Sequence, residues 1–309
     1  MSTSSTDRDS VLDGVHVLDG GLASELEYLG ANIDGPLWSA HVLEDAPDKI
    51  LAVHRAYIAA GAQCIETASY QVSRMGYVEV GLAPERADAA LVKALTLARK
   101  AVAEFPDRQV QIAVSLGPYG AALHNGAEYH GNYECSHAEL VGFHAARIEV
   151  LAGIITREAL AFETLPSLDE ARAIGEALAA WPHLRAWFSF TCRDPQHVAH
   201  GELLRGCASH LATLPQTIAI GINCTQPSLI VTLIAELHGA SAKPIVVYPN
   251  SGEGWDAQKR CWTGISDPEA YGAKAAEWFA AGAQIVGGCC RTRPAHIREV
   301  AEAAARIRV

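Results

Sequence analysis

Short apolar runs alternate along the chain with longer segments of helical periodicity, and this alternation constrains the fold more than any other feature. Strands that alternate with helices form parallel sheets. The 309 residues contain eight such pairs. Eight pairs in a chain of about 300 residues predict an α/β fold, a single-domain (β/α)8 TIM barrel. The eight runs are 15–18, 64–67, 110–116, 160–162, 186–190, 218–223, 244–248 and 284–286.

An open, doubly wound sheet is the second architecture that this alternation allows. The first run ends in Asp19-Gly20-Gly21, without the Gly-x-Gly-x-x-Gly turn of a nucleotide-binding sheet, and this favours the barrel. We expect residues 1–10 to be a disordered polar tail and residues 11–309 to form the barrel. In such a barrel the active site lies at the carboxyl ends of the strands.

Charge and hydropathy limit the kinds of binding partner that we expect for this chain. The net charge of -11 argues against nucleic acid or an anionic membrane as a partner, because either needs a basic surface. The sequence has no apolar run as long as a membrane span, and its polar N-terminus lacks the hydrophobic core of a signal peptide. We therefore expect a cytoplasmic protein, a monomer or homodimer, that acts on small molecules.

Three cysteines lie at the ends of predicted strands. Cys289 and Cys290 follow the last run after two glycines, and Cys224 closes the sixth run. Adjacent residues of a strand point to opposite faces, so neighbouring thiols converge only where the strand ends. A barrel brings the ends of separate strands to one rim, where three thiols with an open fourth position would form a catalytic zinc site. The structural alternative is that these cysteines are small buried hydrophobic side chains.

The chemistry of such a site follows from its charge. A zinc ion held by three thiolates carries a net charge of minus one and is a poor Lewis acid toward a carbonyl group. It is well suited to bind a further thiol and to lower the pKa of that thiol. The cysteine pattern therefore favours transfer of an alkyl group to a substrate thiol over hydrolysis.

Other polar residues also finish predicted strands. Glu163 follows an apolar run where an unpaired carboxylate would be costly, which favours a functional role. Asp19 is either a ligand-binding residue or the N-cap of the helix that follows it. The irregular stretch 121–135 is the longest in the chain, and we expect it to form a lid over the site, since long ordered loops are usually functional.

Seven segments of the chain carry a family resemblance, namely 19–27, 35–40, 67–71, 117–120, 162–164, 221–224 and 287–292. Together they resemble the homocysteine S-methyltransferase family, and the likeness extends from about Leu12 to Ala304. It is strongest to the short single-domain enzymes that use S-methylmethionine or S-adenosylmethionine. One departure is residues 154–158, where the family usually has a Gly-Ala-Asp turn far from the chemistry.

The resemblance implies a zinc-dependent transfer of a methyl group to the thiol of L-homocysteine, which gives methionine. Cys224, Cys289 and Cys290 would be the Zn2+ ligands. Asp19 and Glu163 would hold the amino group of homocysteine, as two carboxylates facing a cation should. No general acid is needed, because the donor leaves as a neutral thioether.

The resemblance also implies roles for the rest of the rim. The amides of Gly20 and Gly21 would take the substrate carboxylate. Asn250 would occupy the fourth zinc position until the substrate thiol displaces it, with water as the alternative. Aromatic faces stabilise a positive centre, and aromatic side chains of the rim would therefore face the sulfonium donor. The remaining residues that the resemblance places in the substrate site are Trp38, Thr67, Tyr70 and Gln71.

Two other functions stay open on the sequence. One is a betaine-dependent homocysteine methyltransferase, although that branch usually carries a C-terminal extension and this sequence stops at Val309. The other is a non-catalytic barrel that binds zinc or a thiol. A degenerate member of that kind would be expected to have lost some of the cysteines or carboxylates, and all of them are present here.

Overall fold

A seven-stranded parallel sheet forms the centre of the molecule, with strand order β1-β2-β3-β4-β5-β6-β9. The structure, a computed structural model, describes residues 12–33, 35, 37–256 and 261–307, so the predicted tail at residues 1–10 lies outside the described residues. The strands of this sheet are β1 (Cys64–Glu66), β2 (Gln111–Leu116), β3 (Ala159–Leu165), β4 (Ala186–Phe190), β5 (Thr217–Asn223), β6 (Ile245–Tyr248) and β9 (Ile285–Val286). A separate antiparallel hairpin joins β7 (Gly254–Asp256) to β8 (Cys261–Thr263).

The prediction of a first strand at residues 15–18 is wrong in detail. Val17 forms a single parallel bridge with Val286 of β9, and Leu18 forms one with Cys64 of β1. The segment therefore lies between the two edges of the sheet and bonds to both. It leaves them after one residue each, because the chain turns at Asp19 toward the first helix. The described architecture is an α/β fold with a curled seven-stranded parallel sheet, consistent with a TIM-like barrel.

Helices separate successive strands of the sheet, as the parallel topology requires. Proline occupies the first turn of several of them, where its missing N–H costs no hydrogen bond. No helix in the described ranges is long and apolar enough to span a bilayer. The helices are α1 (Leu22–Tyr28), α2 (Val42–Asp45), α3 (Pro47–Ala60), α4 (Arg74–Glu79), α5 (Pro84–Ala103), α6 (Tyr119–Ala122), α7 (His137–Ala152), α8 (Leu168–Leu178), α9 (Leu204–Ala212), α10 (Ile230–His238), α11 (Pro268–Ala280) and α12 (Pro294–Ile307), with 3-10 turns at Trp38–His41, Ala127–Tyr129 and Pro227–Leu229.

The alternation of side chains along each strand divides the core into two layers. In β3, Leu160 and Phe162 join the large cluster between the sheet and the helices, whereas Ala159 and Ala161 join a smaller cluster inside the sheet. Cys64 of β1 belongs to the same inner cluster. Since alternate residues share a face, the inner face continues toward the carboxyl ends of these strands through Glu66 and Glu163. The fold therefore turns polar residues inward at one end of the sheet.

Candidate metal and substrate site

The three cysteines singled out in the sequence come together at the end of the sheet. Their Sγ atoms all lie within 4.8 Å of one another, with 3.5 Å between Cys224 and Cys290 and 4.0 Å between Cys289 and Cys290. A tetrahedral zinc with bonds of about 2.3 Å to sulfur needs S–S separations of roughly 3.8 Å. The thiols therefore fit a tetrahedral, sulfur-preferring metal ion with little movement. Hydrogen bonds from the Cys224 and Cys289 thiols hold the pKa of Cys290 well below its ordinary value.

The backbone around the thiols is held in uncommon conformations. Cys224 has φ 48° and Arg291, next to Cys290, has φ 66°. Non-glycine residues in this left-handed region cost about 1–3 kcal/mol each and cluster at functional sites. The turn is fixed by bonds from Cys289 N to Pro249 O (2.8 Å) and from Ser251 N to the Cys290 carbonyl (3.0 Å). The unfavourable backbone conformation of these residues thus accompanies the close placement of the three thiols.

A tyrosine that sequence reasoning missed lies against this thiol cluster. The Tyr129 hydroxyl is 3.5 Å from Cys224 Sγ, and 51% of the residue remains exposed. Tyr129 belongs to the 3-10 turn within residues 121–135, the stretch interpreted as a lid. The signal for its role was only its membership of that long loop, since no periodicity marks a single residue there.

Three carboxyl groups share the inner face close to the thiols. Asp19 Oδ2 accepts a hydrogen bond of 2.9 Å from the Glu66 amide, while Asp19 Oδ1 and Glu66 Oε1 are buried without a partner. Burial raises the pKa of both groups well above ordinary values, and repulsion from Glu163 raises them further. Burial likewise raises the pKa of Glu163 to about 7, against the opposing effect of its hydrogen bond from Ser115, and the Cys224 thiol contributes to the rise. Sequence reasoning missed Glu66, because it read 64–67 only as an apolar run.

A β-bulge in β3 places Glu163. The pairing with β4 slips between Phe162 and Leu165, where Thr164 adopts φ 59°. Asn223 of β5 holds the bulge, since its Oδ1 accepts from Thr164 N (2.7 Å) and its Nδ2 donates to Thr164 Oγ1 (2.8 Å). The Glu163 carboxyl group accepts from Ser115 Oγ and, at 3.5 Å, from Asn223 Nδ2. Each oxygen of Glu163 therefore accepts one hydrogen bond.

Asn250 and the two glycines lie beside the thiols. Asn250 Oδ1 accepts a bond of 3.2 Å from Cys290 N. The Gly21 amide donates to Thr292 Oγ1 (3.0 Å), so its hydrogen is already in use. A Cβ on Gly21 would come within 2.4 Å of the Cys289 carbonyl oxygen, and one on Gly20 within 2.9 Å of the Tyr57 ring. Glycine is thus required at position 21 by the close approach to the cysteine turn, and at position 20 by the close approach to Tyr57 of α3.

The other predicted substrate residues lie around the same rim. The Trp38 and Tyr70 rings meet edge to face, with 6.3 Å between centroids. Gln71 Nε2 donates to the Ala121 carbonyl (3.2 Å), while Gln71 Oε1 is buried without a partner. The Thr67 hydroxyl accepts from Ser115 N (3.1 Å), so it supports the residue that bonds to Glu163. These contacts put Thr67 behind the carboxyl cluster rather than in it.

Known proteins that are similar to this chain include homocysteine S-methyltransferases. A sequence model of the homocysteine S-methyltransferase family matches residues 16–304. A homocysteine S-methyltransferase of Escherichia coli is 45% identical over 289 residues, covering 91% of this chain and 92% of that protein. One from Bacillus subtilis is 43% identical over 295 residues, covering 92% of this chain and 93% of that protein. The metallated form of the E. coli homocysteine methyltransferase MmuM superposes with a TM-score of 0.83 at 41% identity, covering 94% of this chain and 98% of that one.

Proposed function

Because the chain belongs to the homocysteine S-methyltransferase family, it is a methyltransferase that acts on homocysteine, and we propose that it uses a sulfonium donor and a zinc ion. The donor would be S-methylmethionine or S-adenosylmethionine, and the product methionine. One observation carries this proposal, namely three thiols within 4.8 Å of one another next to buried carboxyl groups. Thiols suit a sulfur-preferring ion, and carboxyl groups suit the ammonium group of an amino acid.

Cys224, Cys289 and Cys290 would hold the ion and leave one position for the substrate thiol. When bound, the ion would lower the pKa of that thiol and keep it nucleophilic at neutral pH. The Tyr129 hydroxyl would orient the Cys224 sulfur from outside the coordination shell. Asn250, whose Oδ1 accepts from Cys290 N, would occupy the fourth position until the substrate thiol displaces it, with water as the alternative.

The amino-acid end of homocysteine would lie over the carboxyl cluster. Asp19 and Glu163 would hold its ammonium group, and this cation would offset the repulsion that raises their pKa values. The substrate carboxylate would lie against the backbone at Gly20, because the Gly21 amide already donates to Thr292. Holding both ends of the substrate in this way places its sulfur for an in-line attack on the donor methyl group.

The donor would approach from the aromatic side of the rim. Trp38 and Tyr70 would offer ring faces to the sulfonium centre, which the negative face of an aromatic ring stabilises. The free Oε1 of Gln71 is a further acceptor at this side. The donor leaves as a neutral thioether, so the residues of the site have to bind, orient and exclude water rather than supply a proton.

Metal content and donor assays test this function directly. We expect purified, reduced protein to bind about one zinc ion per chain, and Cys289→Ser to lose both the metal and turnover, because a three-thiol site cannot keep its affinity with two thiols. The matched control is Cys135→Ser, which changes a partly exposed thiol outside the cluster. Full activity in metal-free protein, or equal loss in both variants, would contradict the proposal.

Product formation from homocysteine should be compared for S-methylmethionine, S-adenosylmethionine and betaine. Methionine formed from betaine alone would replace the sulfonium donor with the betaine alternative. Binding without turnover for every donor would favour a non-catalytic zinc- or thiol-binding barrel. The non-catalytic outcome is not expected, since the carboxyl and thiol clusters occur together in the described part of the chain.

The remaining expectations complete the proposal. Residues 11–309 would form one domain, in which the bridging residues Val17 and Leu18 act as the eighth member of the barrel. The enzyme would work as a monomer or homodimer in the cytoplasm, where a reducing environment keeps the three thiols available for metal.

A further inference from the structure

Of the three carboxyl groups on the inner face, only two have a free buried acceptor. Both oxygens of Glu163 are taken, by Ser115 Oγ and Asn223 Nδ2. Asp19 Oδ1 and Glu66 Oε1 are buried and accept no hydrogen bond. An incoming N–H donor therefore finds unused acceptor oxygens on Asp19 and Glu66.

The backbone fixes Asp19 and Glu66 next to each other. The Glu66 amide donates to Asp19 Oδ2 over 2.9 Å, and the Asp19 amide donates to the Cys64 carbonyl over 3.1 Å. Glu66 is the last residue of β1 and shares its face with Cys64, which lies in the inner cluster. The backbone thus holds both side chains next to each other, close enough to Glu163 for the carboxyl groups to repel one another.

Such an arrangement is costly unless a cation completes it. Asp19 is 2% exposed, and an unpartnered carboxylate oxygen at that depth loses its hydration without replacement. No arginine or lysine of the described residues pairs with Asp19, Glu66 or Glu163, whose hydrogen-bonding partners are an amide, a hydroxyl and an asparagine side chain. In the empty protein, burial keeps the pKa of Asp19 and Glu66 high. A ligand that brings a positive charge would let them ionise, and an ammonium group offers three N–H donors for the purpose.

We propose that Glu66 is a substrate-binding residue that, together with Asp19, receives the α-ammonium group of the thiol substrate and restricts the enzyme to amino-acid thiols. The inference rests on the proposed function, because it takes the sulfur of that substrate to lie at the thiol cluster. Glu163 then serves as the third, already hydrogen-bonded carboxyl group of the same ammonium pocket. Glu66 has no part in holding the metal ion, since it lies outside the thiol cluster.

The test compares homocysteine with γ-mercaptobutyrate, which has the same thiol and carboxylate but no amino group. In zinc-loaded enzyme, Glu66→Gln should lower the kcat/KM for homocysteine by about 10–100-fold through KM, as expected for the loss of a charged hydrogen bond. The kcat/KM for γ-mercaptobutyrate should change by less than about threefold, because that compound never used Glu66. The preference for homocysteine would then fall by about tenfold or more.

Two further measurements separate binding from a structural effect. Glu66→Asp keeps the charge on a shorter side chain and should recover part of the preference for homocysteine. The zinc content and the KM for the sulfonium donor should equal those of the unsubstituted enzyme in both variants. Equal losses for both thiols, or a raised KM for the donor with an unchanged KM for homocysteine, would overturn the inference. Failure of the unsubstituted enzyme to methylate homocysteine would instead overturn the proposed function.

Discussion

At the scale of one residue, Glu163 shows how a buried carboxyl group of the proposed substrate site lowers the stability of the ligand-free protein. Its pKa rises to about 7, mainly through burial, so the folded protein holds this proton more tightly than the unfolded chain. The stabilising effect of that proton is complete below about pH 4.5, the ordinary value, and is lost as the pH rises toward 7. The loss is on the order of 1–3 kcal/mol.

Glu163→Gln should remove this pH dependence. The amide keeps its size and stays neutral, so the variant should be more stable than the unsubstituted protein at pH 8 and nearly equal to it at about pH 5. Urea unfolding of reduced, metal-free protein at the two pH values measures the difference. A gap between the two proteins that is the same at both pH values would show that the Glu163 charge is not its cause.

At the scale of elements, the segment 121–135 connects the sheet to the thiol cluster. Gly126 adopts φ 81° to start the 3-10 turn, and Asn125 Oδ1 accepts from the Ala127 amide (3.0 Å). Gly120 approaches this turn so closely that a Cβ would lie 2.5 Å from Glu128 N. The segment is thus an ordered arm that brings the Tyr129 hydroxyl to Cys224, which is consistent with its interpretation as a lid.

Tyr129→Phe tests whether this arm acts on the metal site. The ring stays in place and only the hydroxyl is lost, so zinc affinity should fall by about tenfold, as for other groups that contact a metal ligand from outside. Competition with a chelating dye measures the affinity. Tyr133→Phe is the matched control, because its hydroxyl in the same segment bonds to Glu170 and not to a thiol. Equal zinc affinity in the Tyr129 variant and the unsubstituted protein would contradict the role.

At the scale of the whole molecule, the alternation of apolar runs and helices predicted the order of the sheet well. Seven of the eight predicted runs are strands, with ends shifted by at most a few residues. The first run forms only two single-residue bridges, one with β9 and one with β1. Pairing with both of these edge strands depends on how the assembled sheet curls. The three cysteines were predictable together, since the ends of parallel strands meet at one edge.

Glu66 and Thr164 show why the rest of the site was not predictable. Whether Glu66 points inward depends on which face of β1 lines the inside of the sheet, and the short run 64–67 does not encode this. The bulge at Thr164 depends on Asn223, which lies 59 residues away in the chain. Local patterns specify which elements form, whereas these contacts exist only after distant elements have packed.

Metal binding should couple the site to the stability of the whole fold. The thiols come from the end of β5 and from the turn after β9, with β6 between these two strands, so an ion held by all three links the ends of separate elements. An ion that binds only the folded state, present at 100 times its Kd, adds about 2.7 kcal/mol to the free energy of unfolding.

We therefore expect zinc to raise the Tm of the metal-free protein by roughly 5 °C. Calorimetry of the chelated and zinc-loaded protein measures this rise, and Cys224→Ser should show almost none, because its remaining two thiols both belong to the turn after β9. A rise of the same size in that variant would place the stabilising ion at another site.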